Sequence, residues 1–289
     1  MKVSINFRQL IIVLTLAWLT LFVLFPHLLL VLTSVLTPDA TNLAVWPLNY
    51  ESYLKVMEPI YASVFWHSLR LSLLATVFSL LIAYPFAYFV SQYSLRTRII
   101  LLFFLVLPFW TNSLIRTYAI KILLGKKGIV NALLLAGGLI DEPLQLLYTE
   151  FAVIFGLVYI LLPFMVLPLY SNFDRLNHSL IEAGKDLGAN AWQRFIHIIL
   201  PLTMPGIVAG CLIVFLPAMG MFYVADLLGG ARNLLLGNVI KNLFLVARDW
   251  PFGAAFSVML ILLMSLMLYL YYRANRFIQR KGGLDDQNL

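Results

Sequence analysis

Between residues 180 and 201 the chain reads Leu180-Ile-Glu-Ala-Gly-Lys-Asp-Leu-Gly-Ala-Asn-Ala-Trp-Gln-Arg-Phe-Ile-His-Ile-Ile-Leu-Pro201. Leu180, Ala183, Gly184, Leu187 and Ala191 recur at spacings of three and four, which lays a narrow stripe of small and apolar residues along one helix face. Such a stripe can enter a tight groove. Gly188 can end that helix in the left-handed conformation, a second short helix then carries Trp192, Phe195 and Ile199, and Pro201 closes the segment. The stretch therefore predicts two short helices meeting at an elbow. Trp192, Arg194 and Phe195 would equally suit an amphipathic helix lying on lipid headgroups, and periodicity alone does not separate the two.

Outward from the elbow the chain turns strongly apolar. Of its 289 residues 62% are hydrophobic and 11% charged, against roughly 45–50% and about 25% in an average soluble chain. A water-soluble fold would have too few charged groups to cover its surface. This excludes a disordered chain, a disulfide scaffold (Cys211 is the single cysteine) and an ordinary cytosolic enzyme, and it predicts an all-α polytopic membrane protein. A bilayer needs about 20 mostly apolar residues per helix, which places six transmembrane helices at about 10–36, 64–92, 99–124, 151–173, 206–225 and 254–277. The first follows Lys2 and Arg8 but far exceeds a signal peptide's apolar core, so it stays as a helix. Pro108, Asn112, Arg116 and Lys121 interrupt the third. With no internal repeat or linker, residues 1–289 read as one membrane domain.

Six spans put both termini on one face. In an N-inside arrangement the inner segments carry Lys2, Arg8, Arg96, Arg98, Arg175, Lys185, Arg194, Arg273, Arg276, Arg280 and Lys281. The outer loops carry Lys55, Lys121, Lys126, Lys127, Arg232, Lys241 and Arg248. The excess favours cytoplasmic N- and C-termini, and the basic run after the last span is the strongest anchor. The net charge of +7 reflects this topology, because the basic residues form no stripe that could follow a nucleic acid backbone. The longest inner loop, about 174–205, holds the elbow.

The chemistry of a self-sufficient enzyme or pump is missing. ATP binding requires G-x-x-x-x-G-K-[ST], whereas Gly125-Lys126 and Gly184-Lys185 are followed by Lys127 and Asp186 and lack the preceding glycine. His27, His67, His178 and His197 have no ligand spacing with one another, and no cofactor or metal is expected on this chain. Work against a gradient must draw on another chain.

Glu182-Ala183-Gly184, then Gly188, Ile198, Leu200 and Pro201, resemble the E-A-A motif of the permease subunits of binding-protein-dependent ABC importers. Gly184 stands where a second alanine is usual. The motif falls between the fourth and fifth of six spans, where that family has it. Pro108-Phe-Trp-Thr-Asn-Ser-Leu-Ile-Arg116, Gly156-Leu-Val-Tyr-Ile-Leu-Leu-Pro-Phe-Met165, Pro201-Leu-Thr-Met-Pro-Gly206, Gly237-Asn-Val-Ile-Lys241 and Arg248-Asp-Trp-Pro-Phe-Gly253 are similar to one subfamily, the PotB-type permeases of spermidine/putrescine importers. The resemblance implies a type I ABC importer permease fold in the bacterial inner membrane, with the elbow as a cytoplasmic coupling helix. It implies no catalysis by this chain: a separate ATPase dimer (PotA-like) uses the ATP. The other implied partners are a second permease (PotC-like) and a periplasmic polyamine-binding protein (PotD-like). Glu182, Ala183, Gly184, Gly188 and Pro201 would carry ATPase coupling.

A polyamine is a methylene chain with two or more ammonium groups, so its path calls for aromatic faces and a few carboxylates or amides. Trp110, Asn112 and Tyr118 in the third span supply some of these. The fifth span, expected to break near Pro217 and Gly220, adds Tyr223 and then Asp226, and Tyr53 lies in the first outer loop. Each aromatic also suits packing or belt anchoring, and Asp226 suits a helix cap before Gly229-Gly230. Arg116 and Lys121 count against a purely cation-friendly channel. The competing readings are an ABC permease for an anion or ferric ion, and a self-contained secondary carrier.

Overall fold

The computed structural model describes residues 7–39 and 43–282. Lys2 lies outside them, as do the side chains of Arg232, Arg276, Arg280 and Lys281. The described chain is helical almost throughout, because in lipid each N–H and C=O must find its partner within the protein. Helix α1 covers Arg8–Ser34 with a π turn at Thr20–Leu24. Two short antiparallel strands, β1 (Leu36–Thr37) and β2 (Val45–Leu48), and α2 (Glu51–Val56) lead into α3 (Pro59–Gln92). Then come α4 (Leu95–Val106), α5 (Ser113–Leu124), α6 (Ile129–Ala136) and α7 (Glu150–Asp174). The elbow's first arm is α8 (His178–Asp186), followed by α9 (Ala191–Gly220), α10 (Phe222–Val224), α11 (Leu236–Asn242) and α12 (Trp250–Gly282).

Five of these helices, α1, α3, α7, α9 and α12, are long and apolar enough to cross a membrane. The third span departs from the single helix expected at 99–124. It is a broken pair, Leu95–Trp110 and Ser113–Ala136, bent by 93°. Pro108 removes one backbone donor, and residues Leu107–Trp110 tighten into a 3-10 turn. Thr111 and Asn112 are extended, and the Asn112 side chain accepts from the Leu114 N–H at 2.8 Å, starting a new helix.

The fifth span also departs from expectation. Pro201 does not close the elbow segment, and the second arm is no separate helix: it runs straight into α9 from Ala191. A proline crowds the carbonyl four residues earlier. Here a π turn at Phe195–Ile199 widens the helix just before it. Thr203 Oγ1 then donates to the Ile199 and Leu200 carbonyls at 2.8 and 3.2 Å. The expected break near Gly220 is present at Met221, whose ψ of 65° leaves the helix.

The described residues fall into two compact units. One holds 7–39, 43–63 and 239–263. In it Ser34 Oγ meets Tyr53 Oη at 2.7 Å, Asn49 N–H donates to Val35 O at 2.7 Å, and Tyr61 meets Phe252 and Phe256 edge-on at 5.0 and 5.4 Å. The apolar window of α1 is wholly exposed, as suits a helix clothed by lipid or another chain.

The second unit, 64–238 with 264–282, is organised around α7. Leu157, Leu161, Met165, Leu169 and Phe173 are buried, and α9 packs along α7. Close approach is possible because Gly206 and Gly210 face Asn172, Met165 and Pro168: a Cβ on Gly210 would lie 2.7 Å from the Met165 sulfur. Small residues of α3, among them Ala75, Ser79, Ala83 and Ala87, are buried in the same unit. Both ends of α7 are ion-paired, Glu150 with Arg70 of α3 and Asp174 with Arg98 of α4, the latter at 2.5 Å.

The chain crosses itself where Gly237 lies on Gly220, so that a Cβ on Gly237 would strike the Gly220 carbonyl. Gly188, by contrast, has φ of +80° with open space around it. Gly188→Ala should therefore cost only backbone strain, about 1 kcal/mol, and Gly237→Ala about 3 kcal/mol from backbone overlap. Melting of the purified protein in detergent should fall further for Gly237→Ala; the reverse order would contradict this crossing.

Candidate functional site

Asn177 accepts from the Ser179 N–H at 3.1 Å and starts α8, and Gly188 in the left-handed region ends it. Asn190 and Gln193 then form a reciprocal capping box at 2.8 and 2.9 Å that starts the second arm. The predicted elbow is thus built by caps on both arms. Glu182, Ala183, Gly188 and Pro201 are exposed, as are Leu180, Leu187 and Ala191 of the predicted stripe. Gly184 leaves that face. It is buried against the second arm, where a Cβ would lie 2.6 Å from Ile198 Cδ1, which accounts for glycine where alanine is usual. Trp192 stacks on Phe195 with centroids 5.7 Å apart.

The broken span presents Trp110 and Tyr118 as exposed rings, 74% and 52% accessible. Asn112 sits between them as the cap. The two basic groups that counted against a cation path are both set over aromatic rings. Arg116 is buried with its guanidinium carbon 4.8 Å from the centre of Phe109. Lys121 Nζ lies 6.0 Å from the Tyr118 ring and 5.9 Å from that of Tyr148. Phe109 in turn meets Phe164 of α7 edge-on at 5.2 Å.

Beyond Met221 the chain makes one turn of α10, a π turn at Ala225–Gly229 and a reversal at Gly230, φ +63°. Helix α5, which carries Tyr118, packs against this segment, which carries Tyr223 and Asp226; Trp110 and Asn112 precede α5 in the 3-10 turn and at the cap. Tyr223 is half-buried against the core. Asp226 is exposed on the π turn rather than capping a helix. Tyr53 belongs to the other unit, where it holds Ser34.

The residue that organises the segment is Asn238, fully buried. Its Nδ2 donates to Asp226 Oδ1 at 2.5 Å and to the Phe222 carbonyl at 2.9 Å. Its Oδ1 accepts from the Leu235 N–H at 2.9 Å. Tyr148 N–H completes the fixation by donating to Leu228 O at 2.8 Å. The result is a carboxylate held by a buried amide on a turn that also carries Tyr223. Among the described residues no three His, Cys, Asp or Glu side chains come together as metal ligands.

Residues 60–281 match the family model of the binding-protein-dependent transport system inner membrane component. The chain belongs to this family. It is 54% identical over 286 residues, 99% of its length and all of the relative's, to the spermidine/putrescine transport system permease protein PotB of Haemophilus influenzae. It is 53% identical to the Escherichia coli K12 protein of the same name, over 95% of this chain and all of that one. A crystal structure of a bacterial alginate ABC transporter in complex with an alginate pentasaccharide-bound periplasmic protein shares the fold, with a TM-score of 0.75 at 18% identity over 93% of each chain.

The chain is therefore a multi-pass inner-membrane permease that works with other subunits, and not an enzyme. A self-contained carrier is excluded by the family. Within this permease, sequence reasoning passed over Asn238 even though the stretch Gly237–Lys241 drew notice. The available signal was an amide beside a glycine between two apolar runs, which in lipid marks backbone needing a side-chain partner. Asn238→Asp keeps the acceptor for Leu235 but removes both donated bonds and opposes Asp226 with a second carboxylate. Stability should fall by about 2–4 kcal/mol, read as a lower melting midpoint of the purified complex; an unchanged midpoint would remove Asn238 from this role.

Proposed function

We propose that this chain is the PotB-type half of an ATP-driven polyamine importer, moving spermidine or putrescine inward by alternating access. The observation that carries the reading is the 54% identity to a spermidine/putrescine permease along 99% of the chain, elbow and broken span included. In this reading both termini and the elbow face the cytoplasm. The partners are a PotC-like permease, a PotA-like ATPase dimer that consumes the ATP, and a periplasmic PotD-like binding protein.

The side-chain chemistry of the broken span and of the Asp226 segment supports the substrate class. An ammonium group leaving water needs charge or π density to replace its hydration, and each cation–π contact supplies about 0.5–2 kcal/mol. Trp110 and Tyr118 offer exposed rings, Asn112 an amide, and Tyr223 with Asp226 a ring and a carboxylate held by Asn238; Tyr53 contributes from the first outer loop. Arg116 and Lys121 are both engaged on aromatic faces. An anion or ferric permease would call instead for basic groups, or hard oxygen ligands, converging on the path.

The deciding experiment is ATP hydrolysis by the complex in lipid, with binding protein empty, loaded with spermidine, or loaded with other solutes. Stimulation by the spermidine-loaded protein alone is the expected result; equal stimulation by an anion-loaded protein would overturn the substrate. Asp226→Asn should slow polyamine uptake by roughly tenfold at unchanged abundance in the membrane, the equivalent of losing one charge-assisted contact of about 1.4 kcal/mol. Normal uptake would strike it from the pathway.

The coupling residues follow from the elbow. Glu182 is exposed on the first arm with Ala183 beside it, Gly184 packs that arm on the second, Gly188 makes the turn, and Pro201 lies where the second arm continues along α9. Glu182→Lys reverses a charge on the proposed docking face and should leave hydrolysis unresponsive to loaded binding protein. Variant complexes that co-purify and pump normally would sink the assignment.

A further inference from the structure

Lys121 puts an ammonium group beside a ring proposed to receive one from the substrate. It stands in the last turn of α5, three residues after Tyr118, so the two side chains share a helix face. Its Nζ lies over two rings, 6.0 Å from the centre of Tyr118 and 5.9 Å from that of Tyr148, at the outer range of cation–π attraction. Among the described residues it pairs with no carboxylate. An ammonium held by rings and water alone is released more readily than one in a charge-assisted pair. Tyr148 is fixed in its place against the preference of its own backbone. Its φ of 65° lies in the left-handed region, which a residue with a Cβ keeps only where its surroundings hold it. Here its N–H donates to Leu228 O at 2.8 Å, in the π turn that carries Asp226. Its ring lies against Gly230, where a Cβ would come within 3.1 Å of Tyr148 Cδ1. Both rings nevertheless remain about half accessible.

We propose that Lys121 is a tethered competitor for the Tyr118–Tyr148 pair: its ammonium and an ammonium of the substrate take the same two ring faces in turn. The inference rests on the polyamine reading above and adds Lys121 and Tyr148 to its pathway. A group on a short flexible tether competes at an effective concentration in about the millimolar range. It therefore weakens substrate binding without abolishing it. This suits a transport path, because a site that binds too tightly does not release. It also gives a task to a basic residue that would otherwise only repel the substrate.

The test measures binding of labelled spermidine to the complex of this chain with its partner subunits in nanodiscs, without binding protein. Lys121→Gln should bind on the order of fivefold more tightly than the parent protein, and Lys121→Arg, which keeps a cation for the rings, should stay close to it. Tyr148→Leu removes one ring face from competitor and substrate alike. Alone it should change the affinity little, and combined with Lys121→Gln it should erase the tightening, a non-additivity that only a shared contact produces. Tyr118→Leu repeats the cycle on regular helix, without disturbing the strained backbone at Tyr148, and should behave likewise. The inference is overturned if Lys121→Gln binds no more tightly than the parent, or if its tightening survives intact in either leucine background, since removal of a like charge would then be the cause. Hydrolysis by the parent complex with spermidine-loaded binding protein separates the two levels. Where that protein stimulates, failure of the cycle strikes this inference alone; where it does not, the polyamine reading falls and takes the inference with it.

Discussion

The constraint on which this structure depends is that backbone in lipid must satisfy its own hydrogen bonds. A helix does so without assistance; an interrupted helix does not, and here several interruptions are repaired by an asparagine, while Thr149 and Asp249 serve the starts of α7 and α12. Asn112 restarts the broken third span, and Asn190 and Asn177 start the two arms of the elbow. Asn131, fully buried, donates to the Gly125 and Leu144 carbonyls and accepts from the Leu144 N–H, closing the loop between α5 and α7. Asn233 donates to Gly229 O and Asn238 to Phe222 O. Asparagine recurs because its short amide offers two donors and one acceptor group, and so can stand in for a peptide unit of either polarity.

This explains which parts of the fold were legible in the sequence. Six apolar runs of sufficient length leave little choice but helices, so the spans at 64–92 and 151–173 read almost directly. The elbow was legible because Gly188 and Asn190 carry local chemistry that acts within four residues. The break at Thr111–Asn112 was not, because Pro108 and Asn112 are each tolerated inside a membrane helix when a neighbour supplies the missing bond. Only tertiary surroundings decide between a kink and a 93° turn. Pro201 misled for the converse reason: a proline usually ends a helix, and the π turn that lets this one continue has no signature in residue type.

The candidate site divides in the same way. Aromatic rings and Asp226 are recognisable because their chemistry lies in the side chain. Asn238 was not, because its importance lies in three partners, Phe222, Leu235 and Asp226, spread over residues 222–235. A residue whose work is to connect cannot be weighed before its connections are known. For Tyr53 the structure adds a local partner that the sequence does not announce, a hydrogen bond between its hydroxyl and Ser34.

The arrangement also constrains how the two ends of the permease can communicate. Helix α7 is pinned at its first turn by Arg70 and at its last residue by Arg98, and it carries the most buried side chains of the unit. It is therefore the part least free to move. Helix α9 lies along it through Gly206 and Gly210, and α9 alone is continuous with both the elbow and the Asp226 segment. At one end a π turn joins it to the arm bearing Trp192; at the other, Met221 breaks it one residue before α10. A Cβ on either glycine would strike Asn172 or Met165, so α9 approaches α7 this closely only with glycine at both positions. The elbow and residues 222–229 thus flank the two ends of one helix, and at the second of them Asn238 bonds both Phe222 and Asp226.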